Sequence, residues 1–128
     1  MGEIDMSKML DDFFDTMLTF FPFLVSEYEK HLEKYKERLD TVVIEDIFMP
    51  EIIRLLECNC DTKLLKDLFG YFEIVSDFSD KPFRDVFFVT VMEVLGNDKK
   101  VLETAKQYMG PKTAKLQREA DKALGRIV

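Results

Sequence analysis

The sequence predicts an all-α fold, and three features lead to this prediction. Apolar residues recur every three or four positions along most of the chain, which is the spacing of one buried helical face. Prolines and glycines separate these stretches, where helices commonly begin and end. The links between the predicted helices are short, which favours antiparallel neighbours. We therefore expect residues 1–128 to form a single helical domain of about six to seven short helices.

The first two predicted helices meet at a proline. The first runs from Met6 to Phe21, and mostly acidic residues separate the apolar positions of its stripe. It ends at Phe21, because a residue before proline is pushed out of the helical region of backbone space. Pro22 then opens a second helix, which continues to Leu39 with a charged outer face.

Residues 40–50 are the least regular part of the chain. They include three consecutive β-branched residues, 42–44, and show no clean period. We predict an irregular or extended connection here, with a distorted turn of helix as the alternative, because one such segment does not predict a sheet. Pro50 is expected to open the third helix, which ends before residues 58–60.

The later helices come as short-linked pairs. Asp61 or Thr62 is suited to cap the fourth helix, and Pro82 stands near the start of the fifth. The fifth is apolar on nearly every side, which predicts neighbours on both flanks. Gly96 ends it, Asp98 is suited to cap a short sixth helix, and Pro111 begins the seventh. Such pairs suggest stacked helical hairpins, as in a short HEAT-like solenoid, rather than a four-helix bundle.

The charge of the chain is unevenly distributed. The formal net charge is -7, but residues 1–98 hold 22 acidic and 10 basic side chains, whereas residues 99–128 hold 3 acidic and 8 basic ones. The acidic body repels phosphate backbones and anionic lipids, so we expect neither nucleic acid nor membrane as a partner. The basic region is expected to be a solvated helix face. The acidic body favours a basic protein partner.

Common catalytic and cofactor-binding patterns are missing from the sequence. His31 is the single histidine, and we expect an ordinary helix residue at the edge of the core. Cys58 and Cys60 lack the spacing of a zinc site, and a disulfide between such close neighbours would close a small, strained ring. We therefore expect no cofactor, no metal and no catalysis, and an enzyme is the least favoured alternative.

The same features suggest a cytoplasmic protein. Two cysteines without an expected disulfide fit a reducing compartment. No apolar run approaches the ~18 residues that a membrane span needs, and acidic residues interrupt the N-terminal stretch where a secretory leader would lie.

A group of acidic residues is the candidate partner-binding site. Carboxylates surround the irregular segment and lie near the tips of later helices, where they can attract a basic protein or mimic the phosphates that it binds. The alternative is a solvated rim. The candidate residues are Asp40, Glu45, Asp46, Glu51, Glu73, Asp77 and Asp80.

An aromatic corner between the first two helices is a second candidate contact. It contains Phe20, Phe21 and Phe23, which are hard to bury together. We expect one or two of them to face a partner or a second copy of the chain. The oligomeric state is accordingly predicted as a monomer or a weak dimer.

Several motifs of the chain recur together in one group of proteins. They are Phe21-Pro22 leading into Tyr28-Glu29-x-His31-Leu32, the segment Val42-Val43-Ile44, the helix opened by Pro50, the run Asp85-Val-x-x-Val-Thr-Val-x-Glu93-x-Leu95-Gly-Asn-Asp98, and Tyr108-Met109-Gly110-Pro111-Lys112. Over about residues 20–125 the chain resembles a family of small bacterial all-helical proteins of HEAT-like build. The resemblance implies the fold, and related small acidic proteins of that build act as immunity proteins against polymorphic bacterial toxins.

The favoured hypothesis is therefore a non-catalytic immunity protein. It would neutralise a cognate toxin, expected to be a basic domain, by binding through the acidic face and covering the active site or substrate cleft. The alternative is an intracellular scaffold or adaptor that binds peptides or proteins in a helical groove.

Overall fold

A computed structural model describes residues 8–126, and within this range the chain forms seven helices and no strand, which confirms the predicted all-α class. Helix α1 is Lys8–Phe20, α2 is Val25–Tyr35, α3 spans residues 40–58, α4 is Thr62–Val75, α5 spans residues 81–95, α6 is Lys99–Lys106 and α7 is Pro111–Ala123. The predicted helix start at Met6 lies outside the described residues. The HEAT-like stacking of hairpins stays a prediction.

An aromatic cluster joins α1 to α4 and α5. The ring centroid of Phe13 lies 6.0 Å from that of Tyr71 on α4. On α5 the centroids of Phe83 and Phe87 lie 5.5 Å and 6.0 Å from that of Phe13. Phe87 also contacts Phe72 on α4, with centroids 5.5 Å apart. Such distances are typical of favourable aromatic pairs, and the burial of these large rings holds the three helices together.

Residues 40–50 are helical, so the predicted irregular or extended connection is wrong and the alternative of a distorted helix holds. Helix α3 consists of an α-helical turn, a wider π-helical turn and a second α-helical part, which are Asp40–Val43, Ile44–Phe48 and Met49–Cys58. The β-branched run adopts helical backbone because two of its three side chains face the core, where Val43 and Ile44 are buried.

The π turn also explains the position of Pro50, which stands at the start of the α-helical part Met49–Cys58 as expected but has helical turns before it. Proline has no backbone N–H to donate, so it interrupts the hydrogen-bond ladder of a regular α-helix. Directly before it, the N–H of Met49 donates to the carbonyl of Ile44, five residues back. The ladder is therefore already displaced where the proline enters, and the helix continues past it.

Helix α5 contains a second π turn, Phe88–Met92, and the two π turns pack against each other. Thr90 in its centre is buried, and its hydroxyl donates to the carbonyl oxygen of Val86 at 2.6 Å. Helix α7 packs on the same π turn of α5. The prediction that this helix has neighbours on both flanks is therefore confirmed.

Helix α2 ends at Tyr35, earlier than the predicted end at Leu39. Lys36 adopts left-handed backbone with φ of 61°, and its N–H donates to the carbonyl of Leu32. The chain then turns back, so that the N–H of Leu39 donates to Nε2 of His31 at 3.1 Å. His31 is buried, and the hydrogen bond that its Nε2 accepts gives it a structural role in this turn.

Two predicted helix starts are confirmed by their capping contacts. Asp61 accepts a hydrogen bond from the N–H of Leu64 at 3.2 Å and so begins α4. Asp98 accepts one from the N–H of Lys100 at 2.8 Å and begins α6. Both contacts satisfy backbone donors that a helix leaves free in its first turn.

Replacement of Phe72 by alanine tests the aromatic core. Phe72 is 0% exposed, and we expect the free energy of unfolding to fall by about 3–5 kcal/mol, because the change removes buried area and leaves a cavity. Urea denaturation followed by far-ultraviolet circular dichroism measures this. The control is Ile74→Ala two residues later, where the side chain is 61% exposed and the expected change is within about 0.5 kcal/mol. Similar losses in both variants would contradict the assignment of the core.

Candidate binding surfaces

Two predicted acidic residues of α3, Asp40 and Glu51, each form an ion pair with an arginine. The carboxylate of Asp40 accepts a hydrogen bond from Nε of Arg38 at 2.6 Å, and the same guanidinium lies 2.9 Å from Asp11 on α1. Glu51 pairs with Arg54 one turn further along its own helix. Because each carboxylate already faces a cation, neither offers its full charge to a partner.

Glu45 and Asp46 are the predicted residues that are both exposed and, in the described part of the chain, unpaired. Both are exposed, and within residues 8–126 neither takes part in an ion pair or a side-chain hydrogen bond. They lie on the π turn of α3, whose inner side is formed by Ile44 and Phe48, 1% and 0% exposed. The core therefore fixes the backbone from which these two carboxylates project. We name Glu45 and Asp46 the acidic turn.

Glu73 is engaged elsewhere, at the N-terminus of α7. Its carboxylate accepts hydrogen bonds from the N–H groups of Lys112 and Thr113, both at 2.9 Å, and from the Thr113 hydroxyl at 2.8 Å. Gly110 makes room for it, since a Cβ there would lie 2.5 Å from the carboxyl carbon. A carboxylate satisfies the free N–H groups of a helix start and interacts favourably with its dipole.

These contacts determine the direction in which the pKa of Glu73 moves. Partial burial acts to raise the pKa, but the hydrogen bonds from Thr113 and Lys112 and the Lys112 ammonium outweigh it, so the pKa lies below that of an ordinary glutamate. The ionised carboxylate is therefore the form that ties α4 to α7. Its stabilising contribution is complete above a pH of about 4.3 and disappears as the pH falls through the lowered pKa.

The last two predicted residues lie in the link between α4 and α5, and both make contacts within the protein. Asp77 forms an ion pair with Lys112 of α7 at 2.8 Å. Asp80 caps α5 by accepting a hydrogen bond from the N–H of Phe83 at 3.0 Å. In the described part of the chain, no hydrogen bond or ion pair joins this group to the acidic turn. The candidate residues therefore form two groups. The second group consists of Glu73, Asp77 and Asp80, whose contacts join helices of the protein itself or begin one.

The basic C-terminal region also turns part of its charge inward. The guanidinium of Arg126 donates to the carboxylate of Asp121 at 2.9 Å, to the side chain of Asn97 at 2.6 Å and to the carbonyl of Glu93 at 3.0 Å. Asp121 is 2% exposed and holds the guanidinium in place. Through its bonds to Glu93 and Asn97, Arg126 then joins the end of α7 to the end of α5. Gly96 is required there, because a Cβ would overlap both side chains of the pair.

An open groove of about 620 Å³ lies between α4 and the link that joins α6 to α7. Its lining includes the half-buried ring of Tyr108 and the positive charge of Lys66, and the fully buried ring of Phe69 lies beneath it. Gly70 is exposed at its side, and nothing lies within 4 Å of the place that a Cβ would occupy. We name this feature the α4 groove. The sequence did not indicate it, because its two sides are about forty residues apart in the chain.

Cys58 and Cys60 are joined by a disulfide, so the expectation of two unbridged cysteines is wrong. Helix α3 ends at Cys58, and Asn59 then adopts left-handed backbone with φ of 49°. This reversal places the two cysteine Cα atoms 5.1 Å apart, within the range that disulfides span. Asparagine adopts this conformation more readily than most residues, and that was the signal available in the sequence.

Metal binding and membrane insertion find no support among residues 8–126. No three His, Cys, Asp or Glu side chains in this range are placed to hold a metal ion. The helices in the same range are each too short or too polar to cross a bilayer.

Replacement of Glu73 by alanine tests the tie between α4 and α7. We expect the free energy of unfolding to fall by about 1–2 kcal/mol at pH 7, because the first turn of α7 loses its acceptor. The deficit should shrink as the pH falls below about 4.3 and through the lowered pKa, because the wild-type carboxyl then takes up a proton and contributes less. Urea denaturation at several pH values measures both effects.

The matched control for this experiment is Glu119→Ala on α7. Glu119 is exposed, so its replacement should change the free energy of unfolding by no more than about 0.5 kcal/mol at either pH. If the loss of unfolding free energy in Glu73→Ala stayed constant with pH, the loss would come from packing, and the charge of Glu73 would not contribute to stability.

The chain matches one family profile over most of its length. The profile is described as a domain of unknown function, DUF7674, and the match spans residues 14–124. It includes α1 from Phe14 onward and the six helices that follow. No curated protein and no solved structure matched the chain. Because the match covers well over half of the sequence, the protein belongs to the DUF7674 family.

Proposed function

We propose that this protein is a non-catalytic binding protein that takes a basic protein partner on the acidic turn. The observation that carries the proposal is the π turn of α3, where two exposed carboxylates stand on backbone held from below by the core. Turns of this type are frequent at functional sites. A carboxylate on rigid backbone loses little conformational freedom when it binds, so more of its interaction with a lysine or arginine remains as affinity.

The charge distribution supports a basic partner. The formal net charge is -7, and the excess of acidic residues lies within residues 1–98, which include the acidic turn. Such a field raises the rate at which an oppositely charged protein arrives and disfavours acidic competitors. Asp40 and Glu51 flank the acidic turn and are paired with their own arginines, so within this stretch of α3 the unpaired charge lies at Glu45 and Asp46.

The finer proposal is that the partner is a bacterial toxin domain and that this chain is its immunity protein in the cytoplasm. The support is the resemblance of the motifs between Phe21 and Lys112 to small acidic helical proteins of that kind. Binding would neutralise the toxin by covering its active site or substrate cleft. A cleft that binds phosphate groups is a suitable target, since carboxylates can occupy the same positions.

Charge reversal at the acidic turn tests the proposal. In a pull-down from the native host, the wild-type protein should retain one basic protein. The double variant Glu45→Lys, Asp46→Lys should bind that purified partner at least about tenfold more weakly, because like charges then face each other. Isothermal titration calorimetry at low and high salt measures this, and wild-type affinity should fall as salt rises.

The matched control is the double variant Glu29→Lys, Glu33→Lys on α2. Both residues are exposed, and the net charge changes by the same amount. This variant should keep the wild-type affinity within about threefold. Equal losses in the two double variants would mean that overall charge is recognised, and no loss at the acidic turn would assign the interface elsewhere. Failure to protect cells that express the tightly bound partner would contradict the immunity role alone.

A second candidate function is a scaffold that binds peptides in the α4 groove. The half-buried aromatic ring of Tyr108 favours it, since peptide-binding grooves are commonly lined with aromatic side chains. Gly70→Arg tests it, because the position is sterically open and arginine is a better helix former than glycine. If peptides bind here, fluorescence polarisation with a panel of short basic helical peptides should show binding that Gly70→Arg abolishes and reversal of the acidic turn does not.

A further inference from the structure

The turn between α3 and α4 presents both cysteines of the chain at the surface. Cys58, Asn59 and Cys60 are all exposed, and a disulfide joins the two cysteines. The side-chain oxygen of Asn59 accepts a hydrogen bond from the hydroxyl of Tyr108 at 2.5 Å. Tyr108 also lines the α4 groove, so the turn is both open to solvent and connected to that groove.

The disulfide is not needed to hold the turn. A bridge across one intervening residue removes little entropy from the unfolded chain, because the stabilisation grows with the length of the closed loop. The end of α3 is already held by the N–H of Asn59, which donates to the carbonyl of Leu55 at 2.7 Å. The start of α4 is held by the cap from Asp61. Stability of the turn therefore does not account for the disulfide, and the reactivity of its two cysteines is the remaining role.

We propose that Cys58 and Cys60 form a reversible redox pair that exchanges with small thiols such as glutathione, and that its state controls the contact between the turn and Tyr108. The thiolate of one glutathione attacks a cysteine sulfur, the bond between the two cysteines breaks, and the other cysteine leaves as a thiolate. A second glutathione then displaces the first from the mixed disulfide. Two glutathione molecules are oxidised to one disulfide, and their two protons and two electrons convert the protein pair to thiols.

The helix ends determine which cysteine leaves. Cys58 is the last residue of α3, where the helix dipole disfavours a thiolate, whereas Cys60 lies just before α4, where the dipole favours one. Each cysteine has one acidic neighbour in sequence, Glu57 or Asp61, so these carboxylates do not distinguish the two. Glutathione therefore attacks Sγ of Cys58, and Cys60 is the leaving group.

Opening of the bridge releases Asn59. In the oxidised form the ring closes over this residue while its backbone is left-handed, a conformation that costs free energy for residues other than glycine. In the reduced form Asn59 keeps its N–H bond to Leu55, but the ring no longer encloses its side chain, so the hydroxyl of Tyr108 has an acceptor that is less firmly placed. The redox state of the pair is in this way transmitted to one wall of the α4 groove.

Equilibration in glutathione buffers tests the exchange. The full chain is held at a series of ratios of reduced to oxidised glutathione, quenched with acid, alkylated with N-ethylmaleimide and weighed by intact mass spectrometry. We expect the disulfide at the oxidised end, two alkylated thiols at the reduced end, and a trapped mixed disulfide that maps to Cys58. Two free thiols at every ratio, or a disulfide that survives excess reduced glutathione, would overturn the proposal, and a mixed disulfide on Cys60 would overturn the assigned direction of attack.

Thermal unfolding of the two forms separates a redox pair from a structural bridge. Reduction should lower Tm by less than about 8 °C, because so short a loop contributes little stability. The double variant Cys58→Ser, Cys60→Ser should behave like the reduced form. A loss of Tm well beyond this value on reduction would identify a structural disulfide and overturn the proposal.

Amide spectra recorded by nuclear magnetic resonance test the coupling to Tyr108. Between the oxidised and reduced forms we expect chemical-shift changes in residues 57–62 and also in residues 107–110. In Tyr108→Phe, which lacks the hydroxyl that bonds Asn59, only the first group should change. Changes confined to residues 57–62 in the wild-type protein would overturn the coupling.

Discussion

The burial of aromatic rings between α1, α4 and α5 is the constraint on which the rest of the structure depends. Phe13 contacts both other helices, so α1 closes the core over them. With α4 held in place, Glu73 lies where it can cap α7, and with α5 held in place its π turn meets that of α3. The charged contacts at the surface then add smaller amounts of stability to an arrangement that apolar packing has set.

The two π turns connect this packing to the surface. In α3 the wider turn keeps Ile44 and Phe48 in the core and lets the helix continue through Pro50, which a regular hydrogen-bond ladder would not accommodate. The same turn carries Glu45 and Asp46 on its outer side. One local feature therefore serves both purposes, and the proposed docking position lies on a part of the helix that the core anchors.

A count of charges overestimates the surface that is open to a partner. Most of the acidic residues expected to bind one make contacts inside the protein: Asp40 and Glu51 with arginines, Glu73 and Asp80 as caps, and Asp77 with a lysine. The two features that we connect to function lie at different places on one helix, the acidic turn in the first half of α3 and the cysteine pair at its end. Partner binding and thiol exchange are accordingly separable by substitution, since neither set of residues contacts the other.

The sequence by itself determined the helical class and most helix starts, because apolar periodicity, prolines and capping residues such as Asp61 and Asp98 act within one or two turns of chain. It failed at residues 40–50 because burial of β-branched side chains overrides their weak helix propensity, and burial is a property of the assembled core. Only the tertiary structure decided which carboxylates are open and that the two cysteines meet. The first outcome depends on contacts such as that between Glu73 and Thr113, which are far apart in sequence. The second depends on the left-handed backbone of Asn59, which the spacing of the two cysteines does not reveal.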